Sequence, residues 1–361
     1  MKINNRLVKL RQRLGEKEIE AILISQPENR YYLSGFDGSY GFLLVTADCA
    51  VLATDFRYIE QAKKQAPGYE IFQITGDIKG WLPNLAGGLG LRRLGFEAEH
   101  LSYDMHRRLS NILDDSGLNL QLIPITGLIE ALRAVKEPGE IRLIAEAIAI
   151  SDAAMDSVLG TISAGMTELE VAWQLEQFLR NRGSQPLLFN IIVASGPNAA
   201  LPHARPSQRP IQYGEPVVID IGARVQGYSS DLSRTICLGT ADDTFRKVYR
   251  AVMEAQLAAI ARTAGGMTGA QADRLARRAI EQAGYGDCFG HGLGHGLGLA
   301  PHEKPSLSPN SVDSLTDGMV FTVEPGIYIA GWGGVRIEDT VVMENGKIRV
   351  LSQAQKGNTG I

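Results

Sequence analysis

The chain has 361 residues, 44% of them apolar and 21% charged, the make-up of an ordinary globular protein with material for two cores. A net charge of −4 and a pI near 5.9 speak against a generalised nucleic-acid surface, and no long apolar run offers a membrane span. Cys49, Cys237 and Cys288 are odd in number and lack a CxxC pair, which excludes a disulfide framework and a zinc knuckle and reads as reduced, buried thiols.

The N-terminal stretch is polar and amphipathic, without a signal-peptide core, so a cytoplasmic location is expected. Residues 4–16 read as a helix and 21–25 as a short buried strand. Residues 41–46 and 50–54 form two strand candidates around the turn Ala47-Asp48-Cys49. Helical patterns follow at 56–65, 78–85 and 102–114, with strand candidates at 69–74, 94–97 and 120–123. This alternation predicts an α/β domain with a mixed sheet over residues 1–125. Its His100 and His106 are isolated and fit structural or surface roles. A linker is placed at 126–138, and a second domain at 139–361. The latter opens on the helix-start signal Lys136-Glu137-Pro138-Gly139-Glu140, with apolar residues at three- and four-residue spacing over 141–159.

The second domain carries a repeat. Gly165-Met166-Thr167 and Gly266-Met267-Thr268 each begin a helical stretch that ends at a glycine, Gly183 and Gly284, eighteen residues after the first. The segment from Gly214 through Asp220 to Gly222 parallels that from Gly318 through Glu324 to Gly326: a glycine opens a strand, an acid closes it, a glycine follows. Pro202-His203 and Pro301-His302 stand upstream of the two strands. Four matches in the same order predict two related helix–strand modules with a cleft between them, too few for a solenoid.

Three of the six histidines fall in the glycine-rich run His291-Gly292-Leu293-Gly294-His295-Gly296-Leu297-Gly298-Leu299-Ala300-Pro301-His302. Taken alone, this run also fits a turn with incidental histidines. The acids supply the missing context. Asp220 ends one apolar strand with Asp231 eleven residues on, and Glu324 ends the other with Glu338 fourteen on. A strand–turn–strand hairpin would return the second acid of each pair beside the first. Isolated acids at strand ends are usually solvated or paired with a base, here Arg234 or Arg336. Flanked by Val-Val-Ile and Phe-Thr-Val, these acids belong near the core, where unpaired charge is costly. Four neighbouring carboxylates cannot all ionise without compensation. Two divalent cations would balance them. An oxygen-rich set with one nitrogen suits Mn²⁺, Co²⁺ or Fe²⁺, with Zn²⁺ possible.

The order Asp220, Asp231, His295, Glu324, Glu338, within the HGLGHGLGLAPH and TVEPGIY segments, resembles the metallopeptidases of the pita-bread fold. The α/β domain ahead of it is similar to the N-terminal domain of the Xaa-Pro peptidases, aminopeptidase P and prolidase. The resemblance implies a pseudo-two-fold, pita-bread α+β catalytic domain holding two divalent metal ions per chain. Asp220 and Asp231 would hold one metal and His295 would complete the other, with Glu338 and either Asp231 or Glu324 bridging. A hydroxide shared by the metals would attack, Glu324 would assist proton transfer, and His203 and His302 would line the substrate pocket. Arg336 would orient the acids, and His291 would support them or touch substrate.

The implied activity is release of the residue ahead of proline by an Xaa-Pro aminopeptidase; the alternative is an Xaa-Pro dipeptidase acting on dipeptides alone, which needs something to close the cleft beyond proline and hold its carboxylate. An X–Pro amide nitrogen carries no hydrogen and the ring fixes φ, so the substrate cannot dock as an ordinary strand and calls for a pocket of its own. The complete ligand set disfavours a metal-free amidinohydrolase and a non-catalytic protein-binding module on the same fold, and the extra domain disfavours a methionine aminopeptidase. A homodimer is expected from the resemblance only.

Overall fold

The structure, a computed structural model, describes residues 3–356; residues 1–2 and 357–361, at the outer ends of the two expected domains, lie outside the described residues. Two compact units divide the chain, Met1–Arg133 and Ala134–Ile361.

In the first unit, helix α1 (Ile3–Glu16) leads into β1 (Ala21–Ile24), a run of four buried apolar residues suited to the middle of a sheet. Then come α2 (Pro27–Ser34), β2 (Phe42–Thr46), β3 (Ala50–Thr54), α3 (Ile59–Gln65), β4 (Glu70–Gln73), α4 (Ile78–Gly88), β5 (Arg93–Glu97), α5 (Tyr103–Asp115), β6 (Gln121–Ile125) and α6 (Leu128–Ala134). The six strands form one sheet in the order β4-β3-β2-β1-β5-β6. It is mixed because β1 runs antiparallel to β2 and parallel to β5. The expected linker, residues 126–138, is not an open connector: it carries α6, and Leu128 and Ile129 are buried. A boundary read from prolines misses this because the segment's burial depends on partners distant in sequence.

The second unit repeats one plan twice. Its first half has α7 (Pro138–Leu159), α8 (Glu168–Asn181) and β7 (Ile192–Ser195), then β8 (Pro216–Ile221), β9 (Arg224–Val225), β10 (Tyr228–Ser229) and β11 (Leu232–Cys237). Its second half has α9 (Asp243–Arg262), α10 (Gly269–Gln282), β12 (Gly294–Gly296), β13 (Glu303–Leu307) and β14 (Val320–Val323). The hairpin β15 (Gly326–Ile329) and β16 (Gly333–Arg336) follows, then β17 (Asp339–Glu344) and β18 (Lys347–Val350). The repeat shows in the caps. Thr167 with Glu170 and Thr268 with Gln271 make capping boxes at the starts of α8 and α10, each satisfying backbone donors the helix cannot pair.

The helices of each half cover an antiparallel sheet, β11-β8-β7 in the first and β13-β12-β14-β17-β18 in the second. Each half has its own core. Val171, Leu175, Val193, Ile219 and Leu232 belong to one, and Val252, Ala276, Leu293, Phe321 and Val341 to the other. The acid-bearing ends of β8 and β14 emerge from these two cores.

Candidate metal centre and cleft

Sheet register brings each acid pair together. Asp220 in β8 faces Ser233 of β11, so Asp231, just before β11, lands beside it. Val323 ends β14 opposite Asp339, so the flanking Glu324 and Glu338 meet in the same way. His295 is the middle residue of β12, between β13 and β14. The glycines around it are required by close backbone approach: a Cβ on Gly294 would lie 2.1 Å from the Thr322 carbonyl oxygen, and one on Gly296 would lie 2.0 Å from that of Lys304. The glycine-rich run is therefore in part a strand, and its glycines serve packing.

Ligand-type atoms of Asp220, Asp231 and Glu338 lie within 4.8 Å of one another, as do those of Asp231, His295 and His302. His295 Nδ1 is 3.2 Å from the Gly296 carbonyl oxygen, which can only accept, so Nδ1 carries the hydrogen. Nε2 then faces Glu324 Oε1 at 3.2 Å and Asp231 Oδ2 at 3.7 Å. A bare lone pair cannot face two carboxylates, so a proton or a metal ion must stand between them. In the metal-free protein it is a proton. Burial alone would lower the His295 pKa, but the bond to Glu324 and the charges of Glu324 and Asp231 lift it to about 9. Burial pushes Glu324 upward, yet the same pairing pulls it down to about 2. Asp231 and Glu338 are raised well above the carboxylate range by burial and by neighbouring carboxylates, and Asp220 is raised by burial against the pull of Arg336.

Two buried oxygens complete the case for a cation. Arg336 Nη2 donates to Asp220 Oδ2 at 2.5 Å and Ser233 Oγ donates to Glu338 Oε2 at 2.8 Å, while Asp220 Oδ1 and Glu338 Oε1 have no partner. Unpaired buried acceptors amid mutually repelling carboxylates are a donor set that divalent cations satisfy.

The group opens on a cleft of about 510 Å³, lined by Phe189 and Ile192 as apolar wall and by His203, Arg205, His291 and His302. The structure brings all the residues singled out in the sequence to this place: Asp220, Asp231, His203, His291, His295, His302, Glu324 and Arg336 line the cleft, and Glu338 lies behind Asp231.

Several neighbours are not singled out as site residues by the sequence, although Thr322 and Tyr328 stand at the two ends of the TVEPGIY segment. Tyr328 OH accepts from Arg336 Nη1 at 2.9 Å and meets His291 Nε2 at 2.9 Å. His291 Nδ1 is spent on the Gly292 carbonyl at 2.8 Å, so Nε2 accepts from the tyrosine; burial lowers the His291 pKa and keeps it neutral. Thr322 Oγ1 donates to Glu324 Oε1 at 3.0 Å. Glu168 holds the loop that carries His203, accepting from Ser195 and Asn198 before it and Ser207 after it. The register of β8 on β11 brings Ser233 to the site, and the β15–β16 hairpin brings Tyr328.

The chain matches known proteins over nearly its whole length. Residues 142–345 match the model of metallopeptidase family M24, and residues 6–135 match the creatinase/prolidase N-terminal domain. The chain is 38% identical to the Xaa-Pro dipeptidase of Pyrococcus furiosus over 96% of this chain and 98% of that one. It resembles the solved Xaa-Pro dipeptidase from Bacillus anthracis at 41% identity and a TM-score of 0.93, covering 98% of each chain. The X-Pro aminopeptidase from Thermotoga maritima is similar at 36% identity and a TM-score of 0.89, over 98% of this chain and 99% of that one. Between the two expected activities, these likenesses favour the dipeptidase over the aminopeptidase. No helix among the described residues is long and apolar enough to cross a membrane. With its buried carboxylate–imidazole group and both domain matches, the chain belongs to metallopeptidase family M24 and carries a creatinase/prolidase N-terminal domain.

Proposed function

We propose that the protein is an Xaa-Pro dipeptidase, hydrolysing the amide between an N-terminal residue and a C-terminal proline. The reaction class rests on the buried group Asp220, Asp231, His295, Glu324 and Glu338, with its two unpartnered oxygens. The substrate class rests on similarity to the two Xaa-Pro dipeptidases over nearly the whole chain. These five residues would hold two divalent ions, Mn²⁺ or Co²⁺ before Fe²⁺ or Zn²⁺, because the donors are oxygen-rich and contain no thiolate. Such ions, when bound, acidify water and polarise the scissile carbonyl.

The protein's own groups would do the rest. Glu324, oriented by Thr322, would take a proton from the attacking water and deliver it to the prolyl nitrogen, which cannot leave unprotonated. Burial lowers the His302 pKa, so it is neutral and able to donate to the developing oxyanion. His203, exposed in the cleft, would steady the proline side, and Phe189 with Ile192 would offer the ring an apolar wall. Arg336, fixed by Tyr328, Ser233 and the Pro202 carbonyl, would hold Asp220 in place. The homodimer and the cytoplasmic location expected from the sequence remain part of this proposal.

The test is a substrate panel after chelation and reloading with Mn²⁺ or Co²⁺, with metal counted per chain. Cleavage of X-Pro dipeptides with two ions bound is the expected result. Cleavage confined to X-Pro-Y peptides would favour the aminopeptidase reading, which the Thermotoga relative supports. A protein inert with either metal would return the fold to a binding role.

A further inference from the structure

A dipeptide ending in proline brings a carboxylate into a cleft whose wall already holds Asp220, Asp231 and Glu324. Even with bound metals balancing those acids, the carboxylate gives up water on entering the cleft, a cost that a cation on the wall offsets. Among the described residues lining the cleft, two are arginines and none is a lysine. Arg336 is committed, with Nη2 on Asp220, Nη1 on Tyr328 and the Pro202 carbonyl, and Nε on Ser233. Arg205 is exposed and makes no hydrogen bond or ion pair with the described residues.

The backbone under Arg205 is nonetheless fixed. Ala204 is buried against Ala194, Ala199 and Val218, which turns its neighbours His203 and Arg205 outward to the cleft. Glu168, itself fully buried, accepts from Ser195 and Asn198 on one side of this loop and from Ser207 on the other. The guanidinium is thus a free, planar, permanently charged fork on an anchored stem, two residues from a histidine of the cleft.

We propose that Arg205 receives the proline carboxylate of the dipeptide and so sets the preference for dipeptides over longer peptides. The inference rests on the dipeptidase reading above. The experiment compares Ala-Pro, Ala-Pro amide and Ala-Pro-Ala on Mn²⁺-loaded wild-type, Arg205→Ala and Arg205→Lys enzymes. The amide keeps the scissile bond and removes the charge. In Arg205→Ala the ratio of kcat/KM for Ala-Pro over its amide should fall about tenfold, through KM, as expected for loss of a charge-assisted hydrogen bond. Lysine, a point charge without the fork, should restore part of that ratio. An unchanged ratio in Arg205→Ala, or a wild-type enzyme that cleaves the amide as well as the acid, overturns the assignment. A wild-type enzyme that cleaves Ala-Pro-Ala and leaves Ala-Pro intact defeats the dipeptidase reading, and this assignment with it.

Discussion

Glu168→Gln should loosen the loop between β7 and β8 while sparing the metal centre. The side chain is fully buried at the first position of α8, where the helix N-terminus favours its charge. Its Oε1 accepts from Ser195 N at 2.7 Å, Ser195 Oγ at 2.8 Å and Asn198 Nδ2 at 3.1 Å. Its Oε2 accepts from Ser207 N at 3.1 Å, Ser207 Oγ at 2.6 Å and again from Asn198. Glutamine has the same shape but one acceptor, so its NH₂ must face the N–H of Ser195 or of Ser207, donor against donor. One backbone donor then loses its partner, at about 1–3 kcal/mol, and the surviving bonds lose their charge assistance, roughly another 1–2 kcal/mol. A total near 3 kcal/mol corresponds to about 10 °C in Tm for a unit of this size.

Calorimetry reads the Tm, elemental analysis reads the metal, and KM reads the loop. Because the loop carries Pro202, His203 and Arg205 but none of the five carboxylate–imidazole residues, KM should rise with metal content unchanged. A Tm shift under about 2 °C would mean that Glu168 does not hold the loop. Loss of metal in step with Tm would mean that the loop and the metal centre are one cooperative piece.

Three further outcomes follow from the same geometry. Glu324→Gln should lower turnover per bound metal by about 10²–10⁴-fold, the range for a lost general base; substantial residual turnover would refute its proton-transfer role. Metal uptake should release protons and tighten with pH, because Asp231 and Glu338 are raised and His295 titrates at about 9. The metal-free protein should behave in the corresponding way. The folded His295 value of about 9 lies above its unfolded 6.5, so its contribution to stability is complete below 6.5 and lost as pH climbs through 9. Asp231 and Glu338, raised by folding, act with the same sign. A flat Tm profile over that range in chelator, or equal calorimetric heats in buffers of different ionisation enthalpy, would contradict this.

Much of this was legible in residues that act locally. The Thr167–Glu170 and Thr268–Gln271 capping boxes and the acid closing each apolar strand carry their meaning within a few positions, and the catalytic half and its carboxylates follow from them. Helix α2 has no apolar periodicity to mark it, because its inward face carries Asn29 and Arg30; their partners, Glu97, Glu130 and the carbonyls of Gly38 and Gly41, include groups far along the chain. Helix α2 did have local signals, Pro27 at its start and the left-handed Gly35 at its end. Ser233 and Tyr328 are chemically ordinary, and register alone brings them to the carboxylates.

The bonds that assemble the centre cross between the halves in both directions. Ser233 of the first half holds Glu338 of the second, and Arg336 of the second holds Asp220 of the first. Thr340 Oγ1 donates to the Asp231 carbonyl and Thr235 Oγ1 to that of Arg336, both at 2.9 Å. Behind them Arg234 spans the seam, bonding Asp339 and the carbonyls of Glu338 and Ala354, while Lys356 pairs with the same Asp339. This brace is what keeps four mutually repelling acids together before any metal arrives. It does so with one guanidinium beside the acids, Arg336, with the proton of His295 against Glu324, and with the raised proton affinity of Asp231 and Glu338, which leaves Asp220 Oδ1 and Glu338 Oε1 unanswered. Those two oxygens belong to opposite halves. A divalent cation held by Asp220 and Glu338 would complete the brace as well as the centre, and would couple metal affinity to the association of the two halves.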